Sequence, residues 1–185
     1  TVINISQTSV DLSGSKTYDG NTTINNSSVN VASGLIGSET LSLTGVVNAN
    51  NANVGSYSAS GGTLNMGSTT IALANGANGG LAANYAINDG NFTITQRVVG
   101  VSGTRLYDAT TNAAASDLAT HANLVGSQTL TLSGTGTIAS KNVGSNKTVS
   151  IGTLALGNGS NGGLAGNYTL TGGTHQLTAV SYTHL

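Results

Sequence analysis

Two tyrosine–aspartate pairs stand 89 residues apart in the chain, Tyr18-Asp19-Gly20 within "KTYDGNTT" and Tyr107-Asp108-Ala109 within "RLYDATT". A tyrosine ring can stack on a sugar while the neighbouring carboxylate accepts its hydroxyls. The same two side chains can instead build the fold. The ring packs at a sheet edge with its hydroxyl on a polar partner, and the aspartate accepts backbone N–H bonds in an Asx-type turn. The motif recurs while the loops around it differ, which favours the structural role.

The other residues capable of chemistry do not converge. The acids are Asp11, Asp19, Glu39, Asp89, Asp108 and Asp117. Glycoside hydrolysis needs two carboxylates across one bond, and only the aspartate of the Tyr-Asp pair recurs, once per copy. Calcium sites draw on several carboxylates together, and no dense Asp cluster exists. His121, His175 and His184 are scattered, without counterparts in the first half. His175 aligns with Phe92, which suggests a packing position. No G-x-S-x-G elbow is present. "GNGSNG" (157–162) fits G-x-G-x-x-G, but a strand-like "YTLT" follows where a nucleotide site needs a helix. The chain reads as a non-enzyme, with no catalytic, cofactor or metal site.

Composition says which elements hold these residues. Charged residues are 6% of the 185, with a net charge of −1. Nucleic-acid binding needs clustered Lys and Arg to displace counterions from phosphates, so it is excluded. No apolar run approaches the roughly 20 residues of a spanning helix, so the chain is not expected to be membrane-embedded. There is no cysteine, hence no disulfide or thiolate site. Leu, Ile, Val and Phe exceed the roughly 20% below which disorder sets in. The polar remainder of Asn, Ser, Thr and Gly suits strands and turns. "TVINISQTSV" lacks the basic start and apolar core of a signal peptide, so a leader has been removed or the segment is internal.

Internal repetition gives the organisation. "GLIGSETLSLTG" (34–45) matches "NLVGSQTLTLSG" (123–134) at the offset of 89, as does "NVGS" at 53–56 and 142–145. "GTL" (62–64) matches "GTL" (152–154), after which the first copy carries extra residues around "NMGSTTI". "NGGLAANY" (78–85) then recurs as "NGGLAGNY" (161–168), and "NFTIT" falls on "THQLT". The copies span 1–96 and 97–180, with 181–185 a tail that resembles translated adapter sequence. A period this long suits a whole small β domain rather than one rung of a solenoid.

Alternation marks the strands. "TLSLTG" and "TLTLSG" put Leu41/Leu43 and Leu130/Leu132 on one face. Several short strands between Gly/Asn turns favour two all-β sandwich modules, with another small β fold such as a β-grasp as the alternative. "TTNAAASDLATHAN" (110–123) reads as a variable loop with a short helical turn capped by Ser116 or Asn112. In the repeated phrase, Asn-Gly-Gly is expected to turn the chain and Leu81 or Leu164 to plug the core. Asn84 or Asn167 bonds locally, and Tyr85 or Tyr168 anchors the final strand.

Taken in order, "KTYDGNTT", "LIGSETLSLTG", "NVGSYS" and "GLAANYAI" resemble the YDG domain, named for its Tyr-Asp-Gly motif. "RLYDATT", "LVGSQTLTLSG", "KNVGSNKTVSIGTLAL" and "GLAGNYTLT" resemble it again. The resemblance implies tandem Ig-like modules akin to mostly bacterial Ig-like domains. Such modules occur in filamentous-haemagglutinin-like adhesins exported by two-partner secretion. It further implies secretion to the bacterial cell surface, neighbouring repeats of a longer chain as partners, and a stalk or spacer role in cell or biofilm adhesion. The "QRVV" linker (96–99) is expected to limit bending between the modules. The alternative is a lectin-like module for surface glycans or matrix polysaccharide, with an exposed Tyr57 or the loop 110–123 as first suspects. Two departures stand out. Ala109 replaces the motif glycine, which suggests that no left-handed backbone is obligatory there. The proline that opens many family repeats is absent.

Overall fold

The computed structural model describes residues 4–181, apart from the side chain of Thr120. Residues 182–185 of the tail, with His184, lie outside them. The chain forms two compact units, Thr1–Thr95 and Gln96–Leu185. The described residues are all-β, with single 3-10 turns at Asn26–Ser28, Ala82–Asn84, Ala115–Asp117 and Ala165–Asn167.

The first unit opens with β1 (Thr8–Thr17), β2 (Thr23–Asn25), β3 (Val29–Ser33) and β4 (Leu41–Thr44). It continues with β5 (Val46–Asn48), β6 (Gly55–Ser58), β7 (Ala72–Asn75) and β8 (Tyr85–Thr95). Its main sheet has the order β3-β1-β8-β6, and β2–β5 and β4–β7 form separate two-stranded ladders. Strands β1 and β8 run parallel from Thr8↔Tyr85 to Thr17↔Thr95. The other two ladders of that sheet are antiparallel. Side chains alternate along a strand, so Val10 and Leu12 of β1 are buried while Asp11 and Ser13 turn the other way. Val10, Leu12, Ile24, Val47, Phe92 and Ile94 form the core. Burial of each contributes roughly 1.5–3 kcal/mol. Gly90 is needed beside Phe92, because an added Cβ would press into that ring.

The second unit begins with β9 (Arg97–Val98), β10 (Gly100–Leu106), β11 (Asn112–Ala114) and β12 (Thr120–Ala122). Next come β13 (Leu130–Ser133), β14 (Thr135–Ile138) and β15 (Gly144–Ser150). It ends with β16 (Ala155–Asn158), β17 (Tyr168–Thr169) and β18 (His175–Val180). The main sheet has the order β11-β14-β15-β18-β10-β12. Its opening and closing strands are again parallel, from Val101↔His175 to Leu106↔Val180. Val99, Val101, Leu118, Ile138, Val149 and Leu177 are buried in this unit.

Internal hydrogen bonds correct the repeat alignment twice. Thr70 accepts the N–H of Val46 at 3.2 Å and Thr153 that of Thr135 at 3.0 Å, so these threonines hold matching places. Leu64 bridges to Ala49, where the second unit pairs Val149 with Ile138. The two "GTL" phrases therefore do not correspond, and the extra residues begin in the turn straight after β6. In the closing strand, Thr95 accepts the N–H of Tyr18 and Val180 that of Tyr107, both at 2.8 Å. Gly14 faces Phe92 and Gly103 faces Leu177. Leu177, not His175, thus stands where Phe92 stands, and His175 takes the place of Gly90. A slip of two residues keeps each side chain on its face, so alternation cannot reveal it.

The segment 110–123 is not a variable loop. It folds as β11, a 3-10 turn and β12, matching β2, the turn Asn26–Ser28 and β3. Ala114 caps the turn without a side-chain bond, so neither Ser116 nor Asn112 acts as the cap.

Candidate functional site

The Tyr-Asp turns close the opening strand of each unit. Asp19 Oδ1 accepts the N–H of Asn21 at 2.9 Å, and Asp108 Oδ1 accepts that of Thr110 at 2.9 Å. Both are Asx turns. Between donor and acceptor, Gly20 has φ 80° and Ala109 has φ 61°. The left-handed backbone is therefore kept where glycine is not, contrary to the expectation from Ala109, because the turn geometry demands it. Tyr18 is 3% exposed, whereas Tyr107 is 46% exposed. The ring thus packs in only one of the two motifs.

A cation three residues before each aspartate completes the turn. Lys16 Nζ reaches Asp19 Oδ1 and the Asn21 carbonyl oxygen, both at 2.6 Å. Arg105, itself buried, donates to Asp108 Oδ2 at 3.1 Å, to the Thr110 carbonyl at 2.6 Å and to the Asn112 carbonyl. Its Nε is buried without a partner. Sequence reasoning missed this role, although "SKTYD" and "TRLYD" carry its signal. Burial opposes ionisation of Asp19 more than any single contact favours it. The bonds from Lys16 and Asn21 together still hold its carboxyl below the ordinary value. For Asp108 the Thr110 N–H lowers the pKa most, against burial, with the Thr110 hydroxyl and Arg105 adding to it.

The repeated "NGG…NY" phrase forms a second anchor. The Tyr85 hydroxyl accepts the N–H of Ile36 at 3.2 Å and donates to Glu39. The Tyr168 hydroxyl accepts that of Val125 at 3.1 Å and donates to Gln128 Oε1 at 2.5 Å. The Glu39 bond raises the Tyr85 pKa, since a carboxylate acceptor favours the protonated phenol. Asn84 and Asn167 each donate a backbone N–H at 3.0 Å, to the Leu81 and Leu164 carbonyls. Leu81 and Leu164 are 50% and 40% exposed and do not plug the core. The turn is set instead by close backbone approach, because an added Cβ on Gly80 or Gly163 would overlap the carbonyl oxygen of Thr40 or Thr129.

The first unit also carries a groove of about 680 Å³ across all four strands of its main sheet. Asp11 and Asp89 are register partners there. Asp11 accepts from Asn88 Nδ2 at 3.0 Å and from the Ser33 hydroxyl at 3.2 Å. Asp89 Oδ1 accepts the N–H groups of Gly90 at 2.7 Å, Ala59 at 3.2 Å and Ser60 at 3.3 Å. The Ser60 hydroxyl, then the Gly90 N–H, hold the Asp89 carboxyl below its ordinary value against burial. Tyr57 lines the groove but is buried rather than exposed, its hydroxyl tied to Asn51 Oδ1 at 2.8 Å and the Asn53 carbonyl at 2.5 Å. The two aspartates lie far apart in the chain, and no local signal in the sequence marks their pairing.

The remaining ionisable groups are dispersed. His175 is buried, with Nδ1 accepting from the Val101 N–H at 3.3 Å and Nε2 donating to the Leu170 carbonyl at 2.9 Å. Burial pushes the His121 pKa down. Among the described residues, no group of three or more His, Cys, Asp or Glu could hold a metal. No helix among them is long and apolar enough to cross a membrane.

Residues 91–176 match the YDG domain, a span from within β8 to the second residue of β18. No curated protein and no solved structure matches the chain.

Proposed function

We propose that the chain is a load-bearing spacer, two tandem YDG-type modules from the stalk of an exported bacterial adhesin at a cell surface or in a biofilm. The observation that supports this most is the parallel pairing of opening and closing strands within each unit. Thr8 lies beside Tyr85 and Thr17 beside Thr95, so the chain enters at one end of this ladder and leaves at the other. The second unit repeats the arrangement between β10 and β18. Tension through the chain then slides the two strands past each other. The bonds of the ladder must yield together instead of opening one after another. Assignment of the first unit to the same family rests on the shared order of phrases and on the matching Asx turns of Asp19 and Asp108.

Stretching the full chain by its two ends in an atomic force microscope tests the reading. Two separate unfolding events are expected, each releasing about 300 Å, since roughly 90 residues extend to about 3.3–3.6 Å apiece. Gradual lengthening without force peaks would remove the mechanical argument. Antibody against the chain should label intact cells that carry it, and label confined to lysed cells would exclude surface display.

A further inference from the structure

The groove on the first unit is an addition to the fold rather than a requirement of it. Leu12 faces Gly90 in the first unit where Val101 faces His175 in the second. The places of Asp11 and Asp89 are therefore held by Gly100 and Thr174. The turn that brings the Ala59 and Ser60 N–H groups to Asp89 belongs to the extra residues after β6. A unit of the same construction thus folds without either acid and without that turn.

What the first unit has acquired is a polar surface of defined shape. The lining includes five serines, Asn88, Asn91, Asp11 and Asp89. The volume of about 680 Å³ is within the range of small-molecule sites. Serine hydroxyls and asparagine amides both donate and accept, as sugar hydroxyls do. These short side chains lose little rotamer freedom when a ligand orders them. Like charges opposed across a strand pair destabilise a sheet. Lys16 is the one Lys or Arg of residues 1–95, and it is engaged with Asp19. Asn88, Ser33, Gly90, Ala59 and Ser60 give the Asp11–Asp89 pair neutral donors. No Lys or Arg of residues 1–95 is left to balance its charge, so further donors from outside the unit are favoured there.

We propose that this groove binds a saccharide free of acidic groups. Its hydroxyl or ammonium donors meet Asp11 and Asp89, and the serines and asparagines exchange hydrogen bonds with its remaining hydroxyls. The first unit then grips a glycan as well as spacing the chain, a role independent of how the ladders bear load.

Calorimetry on the full chain with hexamers of N-acetylglucosamine, glucosamine and galacturonic acid tests this. At least one of the first two should bind, and the galacturonate should not. Asp11→Asn should weaken binding at least tenfold. Ser56→Lys, at an exposed position on the edge strand β6, should weaken it as much with an unchanged circular dichroism spectrum. That second variant separates loss of the site from loss of the fold. Failure of both non-acidic hexamers, equal binding of galacturonate, or indifference to both variants overturns the proposal. So does hexalysine binding that alone depends on Asp11 and Ser56, which would make the occupant a basic peptide.

Discussion

Ala109 adopts the left-handed backbone of Gly20, with φ 61° against 80°. An L side chain is disfavoured in this region by roughly 1–2 kcal/mol, yet the second unit keeps the conformation. The bonds around it explain why. Asp108 takes the Thr110 N–H, and Arg105 holds the Thr110 carbonyl at 2.6 Å. Arg105 also holds Asp108 Oδ2 at 3.1 Å, so the residues on either side of Ala109 are both fixed.

Opposite substitutions at the two positions should therefore have opposite effects. Ala109→Gly relieves the strain, less the unfolded-state entropy that glycine adds, for a net gain of up to about 1 kcal/mol. Gly20→Ala should lose about 1 kcal/mol for the same reason. Urea unfolding with the two transitions resolved reads both, and equal signs would remove the strain account.

Acid should weaken the second unit through Asp108. Its folded pKa lies below the ordinary 3.8. The unfolded chain therefore binds the proton first as pH falls. The stabilisation is present above the unfolded value and is lost as pH drops through the folded one. Thermal melts between pH 5 and pH 2 should show this loss for the native chain and a flatter profile for Asp108→Asn. An identical slope in the variant would contradict the assignment.

Fragment boundaries should matter sharply. The YDG match ends at Gln176, whereas β18 continues to Val180 and lies between β15 and β10 in the sheet. Leu177 and Ala179, both buried, fall outside the match. The match also begins at Asn91, in the closing strand of the first unit. A 91–176 fragment is expected to be unfolded and a 96–181 fragment folded, as judged by amide dispersion in NMR spectra. A well-dispersed spectrum from the shorter fragment would show that the sheet closes without β18.

Much of the fold is legible in the chain because it is written locally. Alternation in "TLSLTG" and "TLTLSG" marks strands, with Leu41/Leu43 and Leu130/Leu132 on one face and Ser or Thr on the other. Asp19 and Asp108 bond two residues ahead, to the residue just after each motif, as an Asx turn does. The anchoring tyrosines Tyr85 and Tyr168 stand out through repetition of their phrase. The all-β class follows from such short-range signals together with the Asn, Gly, Ser and Thr content.

Only the tertiary structure decided what depends on strand pairing across the length of a unit. A two-residue slip preserves side-chain parity, so it took the Thr95 and Val180 bonds to show that Leu177 and not His175 matches Phe92. Leu81 and Leu164 look like core residues by type, but the turn before them carries them into solvent. The groove required β1 to lie parallel to β8, which sets Asp11 against Asp89. Neither residue has a local neighbour that announces the other, since backbone pairing and not sequence proximity brings the two carboxylates together.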